Sequence, residues 1–96
     1  MQIFWTKPAE RDFEHIEKYI GNDNPAAAVA VVLEIINTVK TLLSEHTHIG
    51  KAGRVNGTRE FAVPDYPSYI LIYRVKDGRL EILRVLHGAR KRPDDN

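Results

Sequence analysis

Residues 53–93 read G-R-V-N-G-T-R-E-F-A-V-P-D-Y-P-S-Y-I-L-I-Y-R-V-K-D-G-R-L-E-I-L-R-V-L-H-G-A-R-K-R-P, and this stretch decides the fold. It predicts a three-strand antiparallel meander: Thr58 to Val63, a break at Pro64–Pro67, Tyr69 to Val75, a tight turn at Asp77–Gly78, and Leu80 to His87. Tyr, Val and Ile suit a pleated, half-buried surface, whereas Pro and Asp-Gly interrupt it. Tyr69–Val75 is apolar on both faces apart from Arg74, which predicts a central strand covered on both sides.

Working outward, the residues before Gly53 supply the layer for this sheet. Gln2–Thr6 alternates enough for a short strand, assigned to a sheet edge because a two-helix crossover separates it from the meander. A first helix starts near Lys7–Pro8 with Thr6 as N-cap, carries Glu10, Asp12 and Glu14 near its positive end, and stops at Gly21. Ala9, Phe13, Ile16, Tyr19 and Ile20 form its apolar stripe. A second helix opens with Asn24 as N-cap and Pro25 at the first helical position and runs to about Ser44. Its stripe is read as Ala28, Val29, Val32, Leu33, Ile36, Val39, Leu42 and Leu43. The short N-D-N linker demands an antiparallel hairpin. Glu45–Asn56, with its glycines and no periodicity, reads as an exposed loop. The expected fold is therefore α+β in the order β-α-α-β-β-β, an antiparallel sheet with an N-terminal helical hairpin packed on one face, as a single domain over residues 1–96.

Composition narrows the chemistry. The chain has no cysteine, which removes disulfides, thiolate nucleophiles and Cys-based metal sites and fits a reducing, cytoplasmic setting. No signal peptide or membrane span is read from the sequence. The net charge is +1, yet residues 1–50 hold four Lys/Arg against seven Asp/Glu, and residues 51–96 hold ten against six. The sheet half is thus the side expected to face an acidic partner.

Two side-chain groups invite chemistry. His46 and His48 form an H-x-H pair with no third ligand nearby in sequence, so neither a metal nor another cofactor is assigned. Lys51, Arg54, Arg59, Arg84, Arg90, Lys91 and Arg92 form the basic set, and Arg59 and Arg84 interrupt otherwise apolar strands. An arginine there must pair with a carboxylate, for which Glu60, Asp65 and Glu81 are available, or project to bind phosphate or an acidic surface.

G-T-R-E, Y-I-L-I-Y-R-V and I-L-R-V-L-H-G-A-R, placed after a strand and two helices, resemble the RelE/ParE family of bacterial toxins and are most similar to its ParE branch. The resemblance implies the toxin half of a type II toxin–antitoxin pair, held in a hetero-oligomer by a cognate antitoxin that folds into the groove between hairpin and sheet and docks on Val29, Val32, Leu33 and Ile36 and on the exposed sheet edge. It implies DNA gyrase as the target, poisoned by binding, with Arg54, Arg59, Arg84, Arg90, Lys91 and Arg92 as contacts. The alternatives are a RelE-like ribosome-dependent mRNA endoribonuclease or a non-toxic binding module of the same fold. A nuclease would need a base for the ribose 2′-hydroxyl, a cationic clamp and an acid. His87, Arg90 and Arg59 are the residues available for those roles. Ile70 stands after Tyr69 where the RelE branch has an arginine, the lysine pair ahead of that strand is absent, and the tail lacks a catalytic tyrosine.

Overall fold

A computed structural model describes residues 1–88. Strand β1 (Gln2–Trp5) leads into helices α1 (Lys7–Gly21) and α2 (Pro25–Thr38). Then come a two-residue strand β2 (Lys51–Ala52), β3 (Arg59–Val63), β4 (Tyr66–Lys76) and β5 (Arg79–His87). The sheet has five strands in the order β1-β5-β4-β3-β2, so β4 is central as its apolar sequence requires. The meander is antiparallel, but β1 lies parallel to β5, which makes the sheet mixed rather than antiparallel. After the two antiparallel helices the 44–58 stretch, whose β2 runs antiparallel to β3, reverses the chain once more, so that β3 and β5 run in the direction of β1 and β1 takes the edge that β5 leaves open.

Both helices start as their sequences dictate. The Thr6 hydroxyl accepts from Ala9 N–H, and the Asn24 side chain accepts from Ala27 N–H. A last turn, Val39–Leu43, extends α2 but widens to π geometry, with Ser44 N–H reaching the Val39 carbonyl at 3.0 Å. Hydroxyls of Thr38, Thr41 and Ser44 return to the carbonyls of Glu34, Asn37 and Lys40, the back-bonding that bends helices.

The core lies between the hairpin and one sheet face. It joins Ala9 and Ile16 of α1, Val31 and Ile35 of α2, and Val39 and Leu43 to Leu71, Tyr73, Leu80, Ile82 and Val85. This shifts the expected stripe of α2: Val31 and Ile35 are buried, while Val29 and Leu33 are 57% and 60% exposed. An alanine- and valine-rich helix is apolar nearly all round, so its sequence does not set which face turns inward. Tyr19 likewise lies outside the core, 67% exposed. By length and composition alone Pro25–Leu43 is also apolar enough to cross a membrane; in this domain its Val31, Ile35, Val39 and Leu43 serve as core.

The hairpin covers only one face. The other carries Ile70, Ile72 and Arg74 of β4, half-buried between their neighbours, so coverage of β4 on both sides does not hold. The 45–56 stretch is not wholly an exposed loop either. Lys51 and Ala52 pair with Glu60 and Arg59, and Gly50 is buried against Tyr73. The Tyr73 hydroxyl accepts from Gly50 N–H at 2.9 Å and donates to the Thr47 carbonyl at 2.8 Å, pinning the stretch to the core.

Candidate binding surfaces and the arginine sites

The strand arginines are tied into the fold. Leu83 is an extra residue in β5: Ile72 opposes Arg84 while the next residue, Tyr73, opposes Ile82. β1 ends at Trp5, opposite Ile82, so the β5 edge beyond that point needs another partner. Asp12 of α1 provides it. Its carboxylate accepts from Val85 N–H at 2.8 Å and from Arg84 Nε and Nη2 at 2.8 and 3.0 Å. These hydrogen bonds hold the Arg84 guanidinium more firmly protonated than usual. The carboxylates expected to pair with Arg84 are engaged elsewhere or remote. Asp12 was read as a helix-dipole residue, yet it falls three residues after Ala9 and four before Ile16, on the apolar stripe. A carboxylate in that register was the available signal.

Arg59 donates to the Gly50 carbonyl at 2.8 Å and to the His48 carbonyl at 3.4 Å, closing the glycine-bearing stretch against β3. His87 lies opposite Tyr69, their rings edge-on with centroids 5.0 Å apart. Arg59 stands opposite Tyr73, four residues along β4 and on its other side. At ordinary strand spacings that places the Arg59 and His87 backbones about 16 Å apart. Arg59, Arg84 and His87 therefore do not converge, and Arg90, Lys91 and Arg92 lie outside the described residues. Arg54 is exposed, its backbone N–H donating to Glu60 Oε2. Among the described residues no three His, Asp or Glu side chains are grouped to hold a metal ion. Across β3, β4 and β5, Ala62, Ile70 and Leu86 stand side by side as an apolar row.

Two surfaces stand out instead. One is an apolar groove of about 360 Å³ on the hairpin, lined by Glu17, Gly21, Pro25, Ala28, Val29, Val32 and Leu33. It includes three of the four expected docking residues, and Ile36 is half-buried beyond it. The other lies on the helix-free face, where Glu81 accepts from Arg74 Nε at 2.6 Å and from Arg79 Nη2 at 3.2 Å. The hydrogen bond from Arg74, reinforced by the positive charges of Arg74, Arg79 and Lys76, outweighs burial and holds the Glu81 carboxyl below the usual carboxylate range. Sequence reading weighed Glu81 only as a partner for Arg59 or Arg84; the cross-strand register with Arg74 becomes visible once the strands are aligned.

A helical hairpin on one face of this mixed sheet, with no convergent catalytic cluster among the described residues, is an architecture that fits the RelE/ParE fold. The family model of the ParE toxin of the type II toxin–antitoxin system parDE matches residues 3–92, and the chain belongs to that family. It is 39% identical over 92 residues to the Sinorhizobium fredii protein Y4kP, covering 96% of this chain and 93% of that one. Toxin RelE2 of Caulobacter vibrioides is 35% identical over 89 residues, covering 93% of this chain and 97% of the relative. Among solved structures, a chain of the chromosomal ParDE system from P. aeruginosa superposes with a TM-score of 0.77 at 26% identity, covering 91% and 95% of the two chains. The Helicobacter pylori protein HP0894 shares the fold at a TM-score of 0.55 and 24% identity, covering 88% of this chain and 91% of that one.

Proposed function

We propose that this chain is a toxin that acts by binding, with DNA gyrase as its target, and that a cognate antitoxin silences it by seating an amphipathic segment in the hairpin groove. The observation that carries binding over catalysis is the separation of Arg59, Arg84 and His87, two of them arginines already held by internal partners, while gyrase as the target follows only from the kinship with ParE toxins. A phosphoryl-transfer site needs an acid–base group and cations within hydrogen-bond reach of one phosphate. The second half rests on exposed Val29 and Leu33 beside Val32, an apolar face at helical spacing, and on the likeness to a ParDE system. Exposed apolar side chains of this kind cost solubility unless a partner covers them.

The test is a supercoiling assay with purified gyrase beside mRNA cleavage on programmed ribosomes. Lost supercoiling with accumulated cleaved DNA and intact mRNA supports the proposal. Cut mRNA with untouched supercoiling overturns it in favour of a ribosome-dependent endoribonuclease, the second reading, which the likeness to toxin RelE2 favours. Silence in both assays, with antitoxin binding retained, leaves a binding module without toxicity.

A further inference from the structure

The helix-free face bears cations that neither the core nor the hairpin uses. In the register of the sheet, Phe4, Glu81 and Arg74 form one row across β1, β5 and β4, and Gln2, Arg79 and Lys76 form the next. All of them share a face because cross-strand partners do, and residues two apart along a strand do as well. Glu81 is buried at the centre, with 7% of its side chain exposed. It anchors both guanidiniums, yet the Arg74 and Arg79 side chains each stay 40% exposed. A guanidinium has five N–H donors, so one bond to Glu81 leaves donors for a ligand. Arg79 also stacks over Phe4 at 5.0 Å, and that ring is 44% exposed. Three cations and one carboxylate thus share a face with a part-exposed aromatic ring.

We propose that this platform of Arg74, Lys76, Arg79 and Phe4 binds an extended acidic peptide segment of a protein partner. Both guanidiniums are already oriented by Glu81, so binding loses little of their side-chain freedom. Arg74 and Lys76 project from alternate positions of β4, about 6.8 Å apart, which is also the repeat of alternate side chains in an extended peptide. Carboxylates two residues apart can therefore meet both cations, with an apolar residue set over Phe4. Nucleic acid fits less well. The chain's net charge is only +1 and its pI about 8.1, whereas nucleic-acid modules gather larger basic surfaces. The platform and the hairpin groove lie on opposite sides of the sheet, so the proposal holds whichever target or antitoxin is involved.

The test is fluorescence anisotropy of the full chain with a labelled peptide alternating glutamate and threonine. A peptide with glutamine in place of glutamate and an oligothymidylate of equal charge serve as controls. The acidic peptide is expected to bind, to lose affinity in high salt, and to weaken about tenfold with Lys76→Glu, which inverts the charge at an exposed cation. Lys40→Glu on the helical side should leave it unchanged, and circular dichroism of both variants should match the parent. Equal binding of the glutamine peptide, equal loss in Lys40→Glu, or no loss in Lys76→Glu overturns the proposal. Tighter binding of the oligonucleotide than of the peptide also overturns it and makes the face a nucleic-acid surface.

Discussion

Asp12→Ala tests whether Arg84 belongs to the scaffold or to a contact surface. The substitution removes a carboxylate that is 7% exposed and that accepts from Arg84 twice and from Val85 N–H once. Breaking a buried ion pair by deleting one partner costs about 3–5 kcal/mol. Arg84 is 33% exposed, so water recovers part of its charge and the expected loss falls to about 2–3 kcal/mol. That is a large share of the roughly 5–10 kcal/mol available to a domain of this size. With a urea dependence near 1 kcal/mol per molar, the unfolding midpoint should drop by about 2–3 M. Trp5 reports the transition well, since its ring lies 5.3 Å from Phe13, one residue beyond the mutated site.

A double-mutant cycle with Arg84→Met separates the pair from its surroundings. If Asp12 and Arg84 act as one structural unit, the two single losses overlap and the coupling is about 2 kcal/mol. A coupling below about 0.5 kcal/mol would refute the reasoning. So would an Arg84→Met variant of unchanged stability that no longer acts on its target, because that outcome makes Arg84 a contact residue.

Tyr73→Phe strands the Gly50 N–H and the Thr47 carbonyl, and thermal unfolding should register a loss of about 1–3 kcal/mol. Burial raises the Tyr73 pKa above its ordinary value, outweighing its hydrogen bond with Gly50 and the nearby Arg59. Its contribution is therefore complete below about pH 10 and disappears as pH climbs through the raised value. Phenolate absorbance should show a late-ionising component that is absent from Tyr73→Phe. Glu81 has the opposite sign. Its depressed pKa gives stability that is present above the ordinary carboxylate value of about 4.3 and lost as pH falls through the folded value. Acid titration followed by circular dichroism should flatten in Glu81→Gln, and an unaltered acid limb would count against the Arg74 pairing. Leu33→Asp, at a 60% exposed position, should shift stability by no more than about 0.5 kcal/mol while weakening antitoxin binding by calorimetry about a hundredfold.

Most of the fold is legible where one residue type has one physical meaning. Pro25 after Asn24, Gly21 before the linker and Asp77–Gly78 between apolar runs each have few structural solutions, and the elements begin and end there. The parallel pairing of β1 is a property of the crossover and of the edge it finds, so Gln2–Trp5 alone cannot state it. The phase of α2 is hidden by alanines and valines on every side. The Lys51–Ala52 strand is hidden because its order comes from distant residues, Tyr73 and Glu60, rather than from its own propensity.

The arginines show why a basic sequence pattern overstates a site. Arg59, Arg84 and Arg74 look equivalent as cations set in apolar strands, yet each meets a different fate. Arg59 stands opposite Tyr73 and closes on the carbonyls of Gly50 and His48. Arg84 follows the extra residue Leu83, at an edge no strand occupies, and a helix carboxylate takes it. Arg74 lies on the face without helices, where Glu81 orients it but leaves it in water. Burial and edge position, which sequence spacing does not encode, thus decide which cations hold the domain together. The third can still meet a partner, and Lys76 and Arg79 of the adjacent row share that freedom because they share that face.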